Sequence, residues 1–173
     1  MVLNPLTFGT QSSYIRPYTY NNHRNYACNA CTCQLPQGDR NYALFDQNKV
    51  DCFVAQKESS LPYLTDILNH SNNEAQITET LYIINRMADS GVKGIDKMYP
   101  VLARFNNTTS PNIQTFLAGI YRKTQIPDAF GPLVKMLIQN SLRPQTSNFD
   151  PNEEIGGAIL SYISDRFRSQ PQI

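Results

Sequence analysis

The sequence predicts an all-α fold in which three antiparallel helical hairpins stack over residues 59–167. The first observation is a proline followed by apolar residues near the start of each hairpin, at Pro62, Pro100 and Pro132. The second is an apolar triplet after each polar break, with offsets of four and seven that place its members on one helix face. The triplets are Ile77, Leu81 and Ile84; Ile113, Leu117 and Ile120; and Ile155, Ile159 and Tyr162.

The overall composition limits the classes of function. Charged residues make up 17% of the chain and the formal net charge is +1, so we expect no nucleic-acid partner and no anionic membrane partner. The sequence has no uninterrupted apolar run of the ~18 residues that a spanning helix needs. The N-terminus has neither a basic region nor an apolar run, so a secretory signal is not expected. We therefore predict a cytoplasmic protein.

Residues 1–58 are predicted to form an N-terminal arm, separate from a helical-repeat domain at 59–173. The first forty residues are rich in Asn, Tyr and Pro and have no periodicity, which indicates an irregular and partly disordered segment. Two short β-prone runs within 42–54 favour a hairpin, and a single helix over 41–56 is the alternative. In either form, this segment is expected to cover part of the end of the first hairpin.

The first hairpin has clear boundary signals. Ser60 or the serine before it is a suitable N-cap, and Pro62 fits the first turn of a helix. Ser71 and Glu74 have the spacing of a capping box, which predicts the start of a second helix. Gly91 is expected to end that helix.

The second and third hairpins repeat the pattern less regularly. The apolar stripe of the second begins at Ile95, so Pro100 either bends the helix or marks its true start. Pro111 is expected in the first turn of the next helix, and Asp128 is expected to cap the one after it. The last helix is predicted over residues 152–167.

This pattern resembles the HEAT and armadillo repeats of α-solenoids, and the alternative is an ordinary six-helix bundle whose helix pairs look alike by chance. The resemblance covers residues 59–167 and rests on a proline-containing first helix, a polar turn and an amphipathic second helix. The prolines are spaced 38 and 32 residues apart and the first triplet members 36 and 42, around the ~40-residue period of such arrays. What the resemblance implies is a non-enzymatic scaffold that binds a protein partner, with the second helices lining the concave side.

Two arginines and two tyrosines form the candidate binding surface. Each arginine lies nine residues after the first member of its triplet, so the two are expected to stack side by side, and the tyrosines lie close to the same stripe. Arginine and tyrosine are favoured at protein interfaces. The alternative is a pair of solvated arginines, or arginines neutralised by Glu79 or Asp89. The four residues are Tyr82, Arg86, Tyr121 and Arg122.

A cysteine cluster in the arm provides a second candidate site. Cys28 and Cys31 have the C-x-x-C spacing of zinc ligands, and Cys33, Cys52 and His23 could complete a tetrahedral set. A metal would also hold an otherwise irregular arm in shape. The alternative is four thiols without metal, in which case the protein needs no cofactor.

The sequence contains no recognisable catalytic motif. It has two histidines and lacks a nucleophile elbow, a P-loop and a dinucleotide fingerprint. We therefore expect no enzymatic activity. Some HEAT-like proteins act as lyases on bound chromophores, and that activity is the alternative which the resemblance leaves open.

Overall fold

The computed structural model describes residues 16–17, 44–45, 47–143 and 150–169. Within them the chain forms helices, apart from a parallel pair of two-residue strands, β1 (Arg16–Pro17) and β2 (Leu44–Phe45). The α-helices are α1 (Gln47–Gln56), α2 (Leu61–His70), α3 (Glu74–Asp89), α4 (Tyr99–Leu102), α5 (Pro111–Thr124), α6 (Phe130–Ser141) and α7 (Asn152–Ser169). Turns of 3₁₀-helix occupy Lys57–Ser60, Ile95–Met98, Ala103–Phe105 and Pro127–Ala129.

The prediction of an all-α fold is confirmed for the described residues. In the described part of 59–167, every regular element is an α-helix or a 3₁₀ turn. None of the helices described is both long enough and apolar enough to cross a bilayer.

The predicted hairpin in residues 42–54 is wrong, because residues 47–56 form α1. Val50 and Phe53 lie three residues apart on one face of this helix, and both are buried. Helix α1, which precedes residue 59, therefore packs against the helices that follow it. The helix was the alternative interpretation of this segment.

The helix caps differ in detail from the predicted ones. The cap of α3 is Asn73, whose Oδ1 accepts hydrogen bonds from the amides of Ala75 at 2.9 Å and Gln76 at 3.2 Å. The predicted cap Ser71 lies two residues earlier, where its Oγ accepts a hydrogen bond from the amide of Asn73. The hydroxyl of Ser60 makes no cap and donates instead to the carbonyl of Phe53 at 3.2 Å, which ties α1 to the start of α2.

Proline and glycine define the other boundaries. Pro100 lies in the first turn of α4, so it marks the start of that helix, and the 3₁₀ turn Ile95–Met98 precedes it. Gly91 has φ +74° and directly follows the end of α3, as predicted. Asp128 is not the cap of α6, because a 3₁₀ turn extends to Ala129 and the helix begins at Phe130.

One hydrophobic core runs through the described helices. The residues of the first two predicted triplets are all buried, with relative exposures of 0–8%. In the third, Ile155 and Tyr162 are buried and Ile159 packs partly exposed against the same core. The helical periodicity therefore identified the buried face in all three cases.

The second helices of the three predicted pairs contact one another in chain order. Helix α5 packs against α3 on one side and against α7 on the other. Helix α1 packs against α3, α2 packs against α3 and α4, and α6 packs against α7. This order leaves α7 as the last helix of the row α3–α5–α7.

A buried ion pair attaches α1 to α3. The Nζ of Lys49 lies 2.7 Å from Oε1 of Glu79, and the two side chains are 2% and 5% exposed. Two buried charges are stable only when they compensate each other. Glu79 therefore belongs to the interior and does not neutralise the exposed arginines.

We expect Leu117→Ala to lower the free energy of unfolding by roughly 2–5 kcal/mol, because it removes methyl groups from a fully packed site and leaves a cavity. Leu117 has 0% exposure, whereas Leu142 is 81% exposed. Leu142→Ala is thus the matched control, and its effect should stay within about 0.5 kcal/mol. Urea denaturation gives both values, and equal effects would contradict the assignment of the core.

We expect Glu79→Gln to destabilise the protein by about 3–5 kcal/mol, because it leaves the Lys49 charge buried without its carboxylate. The control is Asp89→Asn, since the carboxylate of Asp89 contacts Lys123 at 2.8 Å and is 51% exposed. Loss of this exposed pair should cost less than about 1 kcal/mol. Thermal unfolding of both variants tests the difference, and a smaller effect for Glu79→Gln would show that the pair does not hold α1 in place.

Candidate protein-binding surface

The two tyrosines of the predicted surface are core residues. Tyr121 has 0% exposure and Tyr82 has 9%, so neither ring is open to a partner. The Oη of Tyr121 donates to Oδ1 of Asn106 at 2.8 Å, and the ring of Tyr82 packs edge-on against Phe116 with centroids 5.4 Å apart. The prediction that these rings form a surface is therefore wrong.

Arg86 and Arg122 are accessible, but each has an acidic neighbour. Arg86 lies 3.8 Å from the carboxylate of Asp51 on α1, and its side chain is 43% exposed. Arg122 lies 3.3 Å from the carboxylate of Glu154 on α7, and its side chain is 41% exposed. The partners lie on the helices that flank the α3–α5 pair, so the two guanidinium groups are directed to different neighbours. The two arginines therefore do not form a shared cationic patch.

Lysine and asparagine connect α3 with α5 where the arginines were expected to stack. The Nζ of Lys123 donates to Oδ1 of Asn85 at 2.9 Å and also contacts the carboxylate of Asp89 at 2.8 Å. Gly119 lets the helices approach closely here, because a Cβ at this position would lie 2.6 Å from Oδ1 of Asn85. At this point the contact of α3 with α5 is therefore polar and tightly packed.

The predicted metal ligands are only partly within the described residues. Cys28, Cys31 and Cys33 lie outside them, as does His23. Cys52 lies on α1, where its sulfur accepts a hydrogen bond from Nε2 of Gln56 at 3.4 Å. Over residues 47–143 and 150–169, no three His, Cys, Asp or Glu side chains converge as metal ligands would. The zinc hypothesis for the arm stays a prediction.

An exposed apolar stripe lies on α7, the last helix of the row. Leu160 is 65% exposed, Ile163 is 39% exposed and Phe167 is 71% exposed. Their spacing of three and four residues places them on one side of the helix. Single exposed apolar residues are ordinary, but several on one helix face indicate an interaction surface. We call these three residues the α7 stripe.

Contacts on the remaining faces of α7 fix the direction of this stripe. The Oη of Tyr162 donates to the carbonyl of Ile126 at 2.7 Å, and Nε2 of Gln125 donates to Oγ of Ser161 at 2.9 Å. Gly157 packs near the guanidinium of Arg122. Over residues 155–162 the core and the end of α5 take up these faces, so Leu160 points to the side that they leave open, whereas residues 163–169 are exposed on all faces.

A groove runs beside the C-terminal half of the α7 stripe. Its volume is about 730 Å³, and its apolar lining includes Pro127, Phe130, Ile163 and Phe167, with Arg166 at its edge. A wider groove of about 970 Å³ lies between α2 and the segment around α4 and has lysine and aspartate side chains in its lining. Charged side chains also line the groove at α7, where Asp165, Arg166 and Arg168 lie beside Ile163 and Phe167.

The end of α6 and the residue directly after it carry a second, smaller group of exposed apolar residues. Ile138 is 55% exposed and Leu142 is 81% exposed, and the two lie one turn apart. This group provides a comparison surface of similar chemistry on the neighbouring helix.

The sequence contained a signal for the α7 stripe that the periodicity search did not use. The predicted triplet of the last helix is Ile155, Ile159 and Tyr162, which describes its core face. Leu160 and Phe167 are apolar residues of the same helix that fall outside that face. A helix with apolar residues on two faces needs either a deeply buried site or a partner.

No known protein family, curated protein or solved structure matches this chain.

We expect the protein to lose stability as the pH rises above about 10, because buried tyrosines hold their protons more tightly when folded than when unfolded. Burial raises the pKa of Tyr121, and likewise that of Tyr162, well above the ordinary value of 10.0. This contribution is complete below the pKa of the unfolded tyrosines and disappears as the pH rises through the higher folded values.

Tyr121→Phe tests this dependence. The variant should unfold somewhat more easily at neutral pH, because Asn106 loses a donor, but its stability should fall less steeply above pH ~10, by up to about 1.4 kcal/mol per pH unit. Tyr63→Phe, which removes a hydroxyl from a ring that is 40% exposed, is the control. Urea denaturation from pH 8 to 11 gives the slopes, and identical slopes for Tyr121→Phe and the parent would contradict the expectation.

Proposed function

We propose that this protein is a non-enzymatic interaction module that binds another protein chain through the exposed side of α7. Its helical pairs stack in this proposal as a short HEAT-like array, and α7 is the second helix of the terminal pair. The observation that carries the proposal is the α7 stripe, in which Leu160 and Phe167 are mostly exposed on a helix whose opposite face buries Ile155, Ala158 and Tyr162.

The contacts between helices support the stacked arrangement. Helices α3, α5 and α7 contact one another in the order of the chain, as the second helices of a repeat array do. Hydrogen bonds join residues about one repeat apart, from Arg104 to the carbonyl of Asn69 at 3.0 Å and from Gln125 to Ser161 at 2.9 Å. In such an array the terminal helix has a neighbour on one side only.

The stripe has the composition of a binding site centre. Apolar aliphatic and aromatic side chains supply most of the free energy of protein association when water is removed from them. Arg166 and Arg168 flank Phe167 and would form a polar rim. Arg86 and Arg122 remain candidates for a second contact region, although each already forms an ion pair, Arg86 with Asp51 and Arg122 with Glu154.

Affinity purification of the tagged full-length protein tests this function. We expect the combined substitution Leu160→Ser and Phe167→Ser to abolish recovery of proteins that the parent binds in a stoichiometric amount, including untagged copies of this chain. The matched control is Ile138→Ser with Leu142→Ser, which removes exposed apolar residues from the end of α6 and the position directly after it. Quantitative mass spectrometry gives the recovered amounts.

A third variant separates the two candidate regions. Arg86→Ala with Arg122→Ala should leave recovery within about threefold of the parent, because these arginines are already paired and exposed ion pairs contribute less than about 1 kcal/mol. If the arginine variant loses the partner and the α7 variant keeps it, the binding surface lies on α3 and α5. Unfolding curves of all variants must match the parent for the comparison to hold.

A further inference from the structure

The α7 stripe is self-complementary when two α7 helices lie antiparallel. Gly156 lies four residues before Leu160, and Phe167 lies four residues after Ile163. A two-fold axis at the midpoint between Leu160 and Ile163 therefore places the Phe167 ring of each helix over Gly156 of the other. The surface directly over Gly156 is open, because a Cβ at this position would meet no atom within 4 Å.

The charges at the ends of α7 agree with the same arrangement. Glu153 lies in the first turn and Arg168 in the last, and both are exposed. On a helical projection, Glu153 and Arg168 lie on the same flank of the stripe. An antiparallel pair would bring Glu153 of each helix within about one turn of Arg168 of the other, which forms two equivalent ion pairs. The helix dipoles are also opposed in this arrangement, which is favourable.

We propose that the α7 stripe binds the α7 stripe of a second copy of this chain, with the two helices antiparallel about a two-fold axis. This inference rests on the proposed function and names the partner for the same surface. A foreign helix would require only an apolar stripe on α7. An isologous contact also requires residues that pair across the two-fold axis, and here Gly156 pairs with Phe167 and Glu153 pairs with Arg168. The second copy is therefore the partner that these residues fit.

The length of α7 sets the strength of this dimer. At 18 residues and ~1.5 Å per residue, the helix is about 27 Å long. A contact between two such helices falls at the small end of specific interfaces, so the dimer dissociates at low concentration. The monomer of 19.6 kDa and the dimer of twice that mass are thus in measurable exchange.

Sedimentation velocity of the purified full-length protein tests the proposal. From about 1 µM to about 1 mM, the parent should shift from the mass of one chain to that of two. Leu160→Glu and Phe167→Glu should each raise the dissociation constant at least tenfold, because each buries a charge in the centre of the contact. Leu142→Glu, directly after α6, is the matched control and should dimerise like the parent.

Charge reversal tests the orientation of the helices. Glu153→Arg and Arg168→Glu should each weaken the dimer several-fold, because each places like charges opposite each other. The two reversals in one chain should restore the affinity of the parent. A photo-reactive residue at position 167 should form cross-links with the peptide around Gly156, and mixing two differently tagged copies shows that these cross-links join separate chains.

The outcomes separate this inference from the proposed function. A parent protein that stays at the mass of one chain at the highest concentration overturns the dimer, as do cross-links confined to one chain or a dimer that tolerates Leu160→Glu. If the protein is monomeric but binds a different protein, and Leu160→Ser with Phe167→Ser abolishes that binding, the proposed interaction module stands and only the dimer is wrong. If neither the mass nor the recovered proteins depend on α7, both proposals are wrong.

Discussion

The enclosure of α3 and α5 is the constraint on which the rest of the structure depends. Both helices have a central segment of nine buried residues, 77–85 and 113–121, so no face of either segment is left to water. A helix in this position has to satisfy its polar side chains within the protein. Thr80 and Thr115 donate their hydroxyls to carbonyls four residues earlier, and Nε2 of Gln114 donates to the carbonyl of Thr108. These bonds allow polar residues to occupy the interior.

The two enclosed helices also determine how the flanking helices are attached. Polar pairs join the neighbours at specific positions, Lys49 with Glu79 on the α1 side and Gln125 with Ser161 on the α7 side. Apolar burial alone has little directional preference, whereas a buried ion pair or hydrogen bond is lost when one helix slides along the next. The direction in which α7 presents its outer stripe therefore follows from the contacts of α5.

The sequence was informative at helix boundaries that depend on the backbone preferences of single residues. Gly91 has a special backbone conformation, so its position marked the end of α3 correctly. Pro100 fitted either a bend or a helix start, and the structure shows the start. Residues 42–54 were mispredicted because two short apolar runs fit a strand pair and a helix equally well, and only the packing of Val50 and Phe53 against the core distinguishes them. The buried position of Tyr121 was also missed. It is adjacent in sequence to Arg122, and neighbouring residues on an enclosed helix differ by about 100° in direction.

The first helix of the second pair has a consequence for how the protein deforms. Residues 95–105 contain a single α-helical turn, α4, between two 3₁₀ turns. Few of their backbone amides therefore donate to the carbonyl four residues earlier, as the amides of a continuous α-helix do. Their backbone hydrogen bonds are weaker than those of the enclosed helices behind them. On heating, residues 95–105 are therefore expected to lose their backbone hydrogen bonds before α3 and α5 do.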